Sequence, residues 1–98
     1  MEVVVLKLTT GEEVITRKSP EMVQGGHIFH KPRVFQIIQD PQTGGVRAGL
    51  MPWLMSDPDA EVMIANIHII AMTNASSEIE TAYLQQTSTL DLQSKIAV

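Results

Sequence analysis

The run Val62-Met63-Ile64-Ala65-Asn66-Ile67-His68-Ile69-Ile70-Ala71-Met72 constrains this chain more than any other stretch, because it is apolar at odd and even positions alike. Successive side chains of a strand point to opposite faces, so an extended segment of this composition cannot leave one face in water. A chain of 98 residues has little other material with which to cover both faces and both edges of such a strand. The expectation is that further copies of the protein supply part of the cover, by pairing strand edges between copies.

At 44% hydrophobic and 18% charged, the composition is that of a folded domain, and the length suits one domain. Cysteine is absent, which excludes disulfides and thiolate zinc sites and is compatible with a reducing compartment. Met1–Leu8 lacks the basic start and small-residue cleavage site of a signal peptide, and no apolar run approaches about 18 residues. A soluble protein without a membrane partner is expected. The net charge of −4 is shared evenly: residues 1–75 carry 6 basic and 8 acidic groups, residues 76–98 carry 1 and 3. Binders that work by neutralising phosphates usually carry a basic excess, which this chain lacks.

Along the chain, Val3–Leu8 and Glu13–Lys18 are β-branched runs around Thr9-Thr10-Gly11, a hairpin signature in which Val4, Leu6 and Leu8 share a face. Ser19-Pro20-Glu21 is expected to end the second strand, since proline cannot donate to a ladder, and Gln24-Gly25-Gly26 permits a second sharp turn. His27–Gln39, with Lys31-Pro32 at its middle, reads as one strongly bent strand. Asp40–Gly45 is loop chemistry, Val46–Met55 a fourth extended segment, and Asp57-Pro58-Asp59 a turn into the fifth. Beyond Asn74 the period changes. Ser77 as N-cap, Glu80 three residues on, and Ile79, Ala82 and Tyr83 on one side predict a short amphipathic helix. Residues 87–98 are weakly patterned, with Leu90, Leu92, Ile96 and Val98 as candidates to dock on a neighbour. The reading is all-β, a small bent barrel of five antiparallel strands over residues 1–75, followed by a helix and tail over 76–98.

Few side chains suggest chemistry. Lys31 and Arg33 flank the bend and would form a basic annulus if copies ring a pore; a solvated strand face is the alternative. His27, His30 and His68 lack metal-ligand spacing, because strand residues three apart face opposite ways. Asp57, Asp59 and Glu61 lack the frame of a calcium loop and read as a polar turn. Met51, Trp53, Leu54 and Met55 read as interface packing on an edge strand, with a base-stacking platform or a partner-docking surface as alternatives. Gly25-Gly26 and Gly44-Gly45 open no helix and so do not cradle phosphate. No nucleophile–base pair or paired carboxylates can be extracted, so neither enzyme activity nor a cofactor is expected.

The strings Val5–Val14, Ile28–Val34 and Ile64–Ala71 resemble the Sm-like family over residues 3–73, and Gly49–Met55 and Tyr83–Thr87 are most similar to Sm-like proteins of cyanobacterial phages. The resemblance implies a bent SH3-like barrel whose fourth strand pairs with the fifth strand of the next copy, closing a ring of about five to seven. Leu50, Met51, Trp53, Ile64, Ile67 and Ile69 then become the expected seam. It further implies single-stranded RNA as a ligand, in the cytoplasm of a bacterial host if phage-encoded, with Lys31, Arg33, Asn66 and His68 as candidate contacts. The chain departs from both RNA-binding signatures of the family. Ser19–His27 is rich in proline and glycine where an acidic residue and an asparagine are expected, and Asn66-Ile67 stands where Arg-Gly or Lys-His is. The alternative function is a ring that recognises phage or host proteins.

Overall fold

The computed structural model describes the backbone of residues 2–96, and their side chains except those of 38, 47, 48 and 89–96. The expectation that Leu90, Leu92, Ile96 and Val98 dock on a neighbour lies outside the described residues.

Strand β1 (Glu2–Leu8) pairs antiparallel with β2 (Glu13–Val23), Val4 opposite Thr16 and Leu6 opposite Val14. The hairpin closes where the Leu8 N–H donates to the Glu12 carbonyl at 3.0 Å and the Gly11 N–H to the Leu8 carbonyl at 2.9 Å. Gly11 sits at φ +93°, a conformation that only glycine adopts without a Cβ clash. Strand β2 does not stop at Pro20, contrary to expectation. The register passes from Lys18–Phe29 to Met22–His27, so Ser19, Pro20 and Glu21 bulge opposite Ile28. A bulge is where a missing N–H breaks no ladder bond, and Ser19 Oγ accepts the Glu21 N–H at 3.1 Å.

Strand β3 (Gly26–Gln39) is bent, as its Lys31-Pro32 step suggests. Pairing moves from Arg17–His30 to Ile15–Arg33, leaving Lys31 and Pro32 together opposite Thr16, and Lys31 adopts φ +53°. The bend divides β3 into two halves with different partners. Residues 26–30 carry β5 (Glu61–Ala65) and residues 33–39 carry β4 (Val46–Pro52), so β4 and β5 lie end to end beside β3 with 53–60 looped out between them.

The run from Val62 to Met72 is not one strand. It turns a corner through a 3-10 helix at Asn66–His68 and continues as β6 (Ile69–Asn74), antiparallel to β1. The last strand thus pairs with β3 before the corner and with β1 after it, closing a small antiparallel barrel. Five expected strands are six segments for this reason.

Two packed clusters follow from the alternation of β1. Val4, Leu6 and Leu8 join Val14, Phe29 and Ile64 inside the barrel. Val3 and Val5 point the other way, where with Ile15 they meet Ile79, Tyr83 and Leu84 of helix α1 (Ser77–Ile96). The helix is longer than expected, and its cap is Ser76 rather than Ser77: Ser76 Oγ accepts the Ile79 N–H at 3.4 Å and its carbonyl the Glu80 N–H at 2.8 Å.

Candidate functional site

The Asn66–His68 corner is tied to both neighbouring hairpin tips. The Thr9 N–H donates to the His68 carbonyl at 2.9 Å and the Asn66 N–H to the Gly25 carbonyl at 2.8 Å. With its backbone so engaged, the corner presents Asn66, Ile67 and His68 to solvent, Ile67 at 80% exposure. The close approach of β5 leaves no room for a side chain at Gly26, where a Cβ would lie 2.5 Å from the Ile64 carbonyl oxygen.

Beside the corner lies an open-sided cavity of about 390 Å³, between the β1–β2 turn, β5 and Trp53. Leu8, Met63 and Ile64 make it mainly apolar, while Thr10, Glu12 and His68 bring polar atoms to it. Trp53 is fixed by its N–H, which donates to the Pro32 carbonyl at 3.2 Å, and by its indole Nε1–H, which donates to Glu12 Oε1 at 3.4 Å. Thr10 Oγ1 donates to the same oxygen at 3.0 Å. An indole beside an anchored carboxylate offers a stacking surface and an acceptor edge.

Of the candidate RNA contacts, Asn66 and His68 share the corner, but Arg33 is withdrawn. The bulge at Lys31-Pro32 turns Arg33 inward, where it is only 1% exposed. Its Nε donates to Gln86 Oε1 at 3.0 Å, its Nη1 to the Pro32 and Pro58 carbonyls, and its Nη2 to Asp59 Oδ1 at 2.8 Å. Arg33 therefore ties β3 to the 53–60 loop and to α1, and it does not belong to a solvent-facing annulus. Lys31 is half-buried at the bend.

The expected seam residues also separate. Ile64 is buried in the barrel interior of its own chain, because its position on β5 faces Phe29 and Leu6, so it is removed from the seam. Trp53 and Ile69 pack partly on the same cluster, and Leu50 on the cluster beneath the helix. Met51 is half-buried on β4, and Ile67 is open. Ile70 and Met72, which the sequence reading did not assign to the seam, are exposed on β6.

The helix supplies contacts that no local spacing announces. The Tyr83 hydroxyl lies 3.0 Å from the His30 carbonyl and 2.9 Å from that of Lys31, and Gln86 Nε2 donates to the Leu50 carbonyl at 2.9 Å. Burial raises the Tyr83 pKa above its ordinary 10.0, against the lowering influence of the Arg17 and Arg33 charges. Thr16 Oγ1 adds a 2.7 Å bond to the His30 carbonyl, so the strained bend is held from both sides.

His30 Nδ1 lies 3.8 Å from Glu61 Oε2, and among the described residues no three His, Cys, Asp or Glu side chains gather as metal ligands would. No helix among the described residues is long and apolar enough to cross a membrane. No protein-family model matches the chain, and no curated protein matches it.

Proposed function

We propose that this protein is an Sm-like module that assembles by pairing β4 of one copy with β6 of the next, and that the resulting ring of about five to seven binds single-stranded RNA. One observation carries the proposal. The sheet path β4-β3-β2-β1-β6 ends in two strands without a second neighbour among the described residues, and the terminal β6 exposes Ile70 at 64% and Met72 at 40%. An apolar edge strand left bare invites uncontrolled pairing, and joining two different edges head to tail closes a ring when the rotation allows. In such a ring, each copy contributes one exposed Asn66-Ile67-His68 corner with Trp53 nearby. Amide and imidazole groups beside an aromatic surface suit unstacked bases.

Sedimentation velocity tests assembly, with a single-chain mass at micromolar concentration as the result that ends it. Filter binding of short uridine-rich and adenine-rich oligonucleotides at two salt concentrations tests the ligand. Retention at low salt that weakens at high salt is expected, since phosphate contacts release counterions.

Burial of Arg33 and the net charge of −4 favour a second reading, a ring that recognises phage or host proteins. An intact ring that retains no oligonucleotide at low salt selects it.

A further inference from the structure

We infer that the cavity beside Trp53 is a binding site for a guanine base, stacked on the indole and held at its edge by the Glu12 carboxylate. The size is right for a small ligand, because binding cavities begin at about 300 Å³ and this one holds about 390 Å³. Its chemistry is selective. An ionised carboxylate only accepts hydrogen bonds, and it has about four lone-pair sites on its two oxygens. Both bonds that position Glu12, from Thr10 Oγ1 and Trp53 Nε1, fall on Oε1, which leaves acceptor capacity at Oε2. Guanine alone among the common bases presents two adjacent donors, N1–H and the 2-amino group, on one edge. Adenine and cytosine set a ring-nitrogen acceptor beside their amino group, and uracil flanks its N3–H with two carbonyls, so each would turn a lone pair towards Glu12.

The walls complete the fit. Leu8, Met63 and Ile64 supply apolar contact for a flat heterocycle, and the open side leaves the sugar and any attached strand outside. A phosphate inside the cavity would face the Glu12 charge, so recognition rests on the base. The inference deepens the RNA reading by naming a base for the strand, and it rests on that reading only where the guanine belongs to RNA, because free guanosine satisfies the same groups.

Trp53 is the sole tryptophan of the chain, so its emission reports this cavity. Purified protein in its native assembly is titrated with guanosine, inosine, adenosine and uridine, with emission corrected for nucleoside absorbance and affinities checked by calorimetry. Saturable quenching by guanosine is expected, with adenosine and uridine at least about tenfold weaker and inosine, which lacks the 2-amino group, intermediate. Glu12→Gln should cut guanosine affinity about tenfold while leaving the weak response to uridine unchanged. Because the nucleoside series needs no variant, it decides the matter even if Glu12→Gln fails to fold. Equal responses to all four nucleosides, or none, would overturn the inference. If oligonucleotides are retained while guanosine leaves Trp53 silent, the site fails and the RNA reading stands; if guanosine binds and neither the uridine-rich and adenine-rich strands nor a guanine-rich one is retained at low salt, the site stands and the RNA reading fails.

Discussion

Strands β1 and β6 are hydrogen-bonded neighbours of similar apolar character, yet one is covered on both faces by its own chain and the other on hardly any. Val4, Leu6 and Leu8 of β1 enter the barrel interior, while Val3 and Val5 lie under α1. In β6 only Ile69 is drawn towards the core, and Ile70, Ala71, Met72, Thr73 and Asn74 are exposed. The helix explains the difference, since one helix covers one strip of a small barrel and Tyr83 anchors this one over β1 and the bend of β3. Apolar sequence thus marks what calls for cover, and the position of the cover decides which strand is left exposed.

The comparison breaks most completely at the covered strand. Leu6→Ala removes a side chain with no exposure and should cost about 2–5 kcal/mol of folding stability, read from urea denaturation. Ile70→Asp should act in the opposite sense, leaving the far-ultraviolet dichroism of the protomer unchanged and, under the proposed β4–β6 assembly, moving its sedimentation to the single chain. Ile67→Asp should do the same, as it also alters an open position. Leu50→Asp would be a poor probe of assembly, because Leu50 packs in the cluster under the helix and the change would damage the fold. An assembly that survives Ile70→Asp would show that β6 is not the seam, and one that survives Ile67→Asp would remove the Asn66–His68 corner from it.

Loosening the cover of β1 sharpens the contrast. Tyr83→Phe keeps the ring and loses the hydroxyl bonded to the His30 and Lys31 carbonyls, for an expected loss of about 1–3 kcal/mol in the same denaturation measurement. Burial raises the pKa of Tyr83, so the fold favours its neutral form. Its contribution is complete below pH 10.0 and is lost as pH rises through the higher folded value, because the unfolded phenol ionises first. Stability should therefore fall in alkali above pH 10.0, and Tyr83→Phe should lack that part of the fall. As the chain has one tyrosine, tyrosinate absorbance follows this group alone. Ser76→Ala, which removes the helix cap, should cost about 1 kcal/mol.

Much of the barrel is legible in the chain because it is local. The Gly11 and Gly25 turns, the bend at Lys31-Pro32 and the change of period before α1 each depend on residues a few positions apart. The site is less so. Glu12 meets Trp53 across 41 positions and Arg33 meets Gln86 across 53, and neither pairing leaves a spacing signal. Arg33 follows strand alternation only until the bulge shifts the register, and that shift turns a candidate surface cation into a buried tie.

By itself the sequence settled that the chain is mainly antiparallel β-structure with a late helix, because turn chemistry and side-chain period act over a few residues. Only the tertiary structure decided that the apolar run at 62–72 turns a corner, that α1 is laid over β1, and that β6 is left bare. Those outcomes depend on which distant surfaces compete for one helix, and burial of apolar area is non-directional, so no local pattern of residues encodes its result.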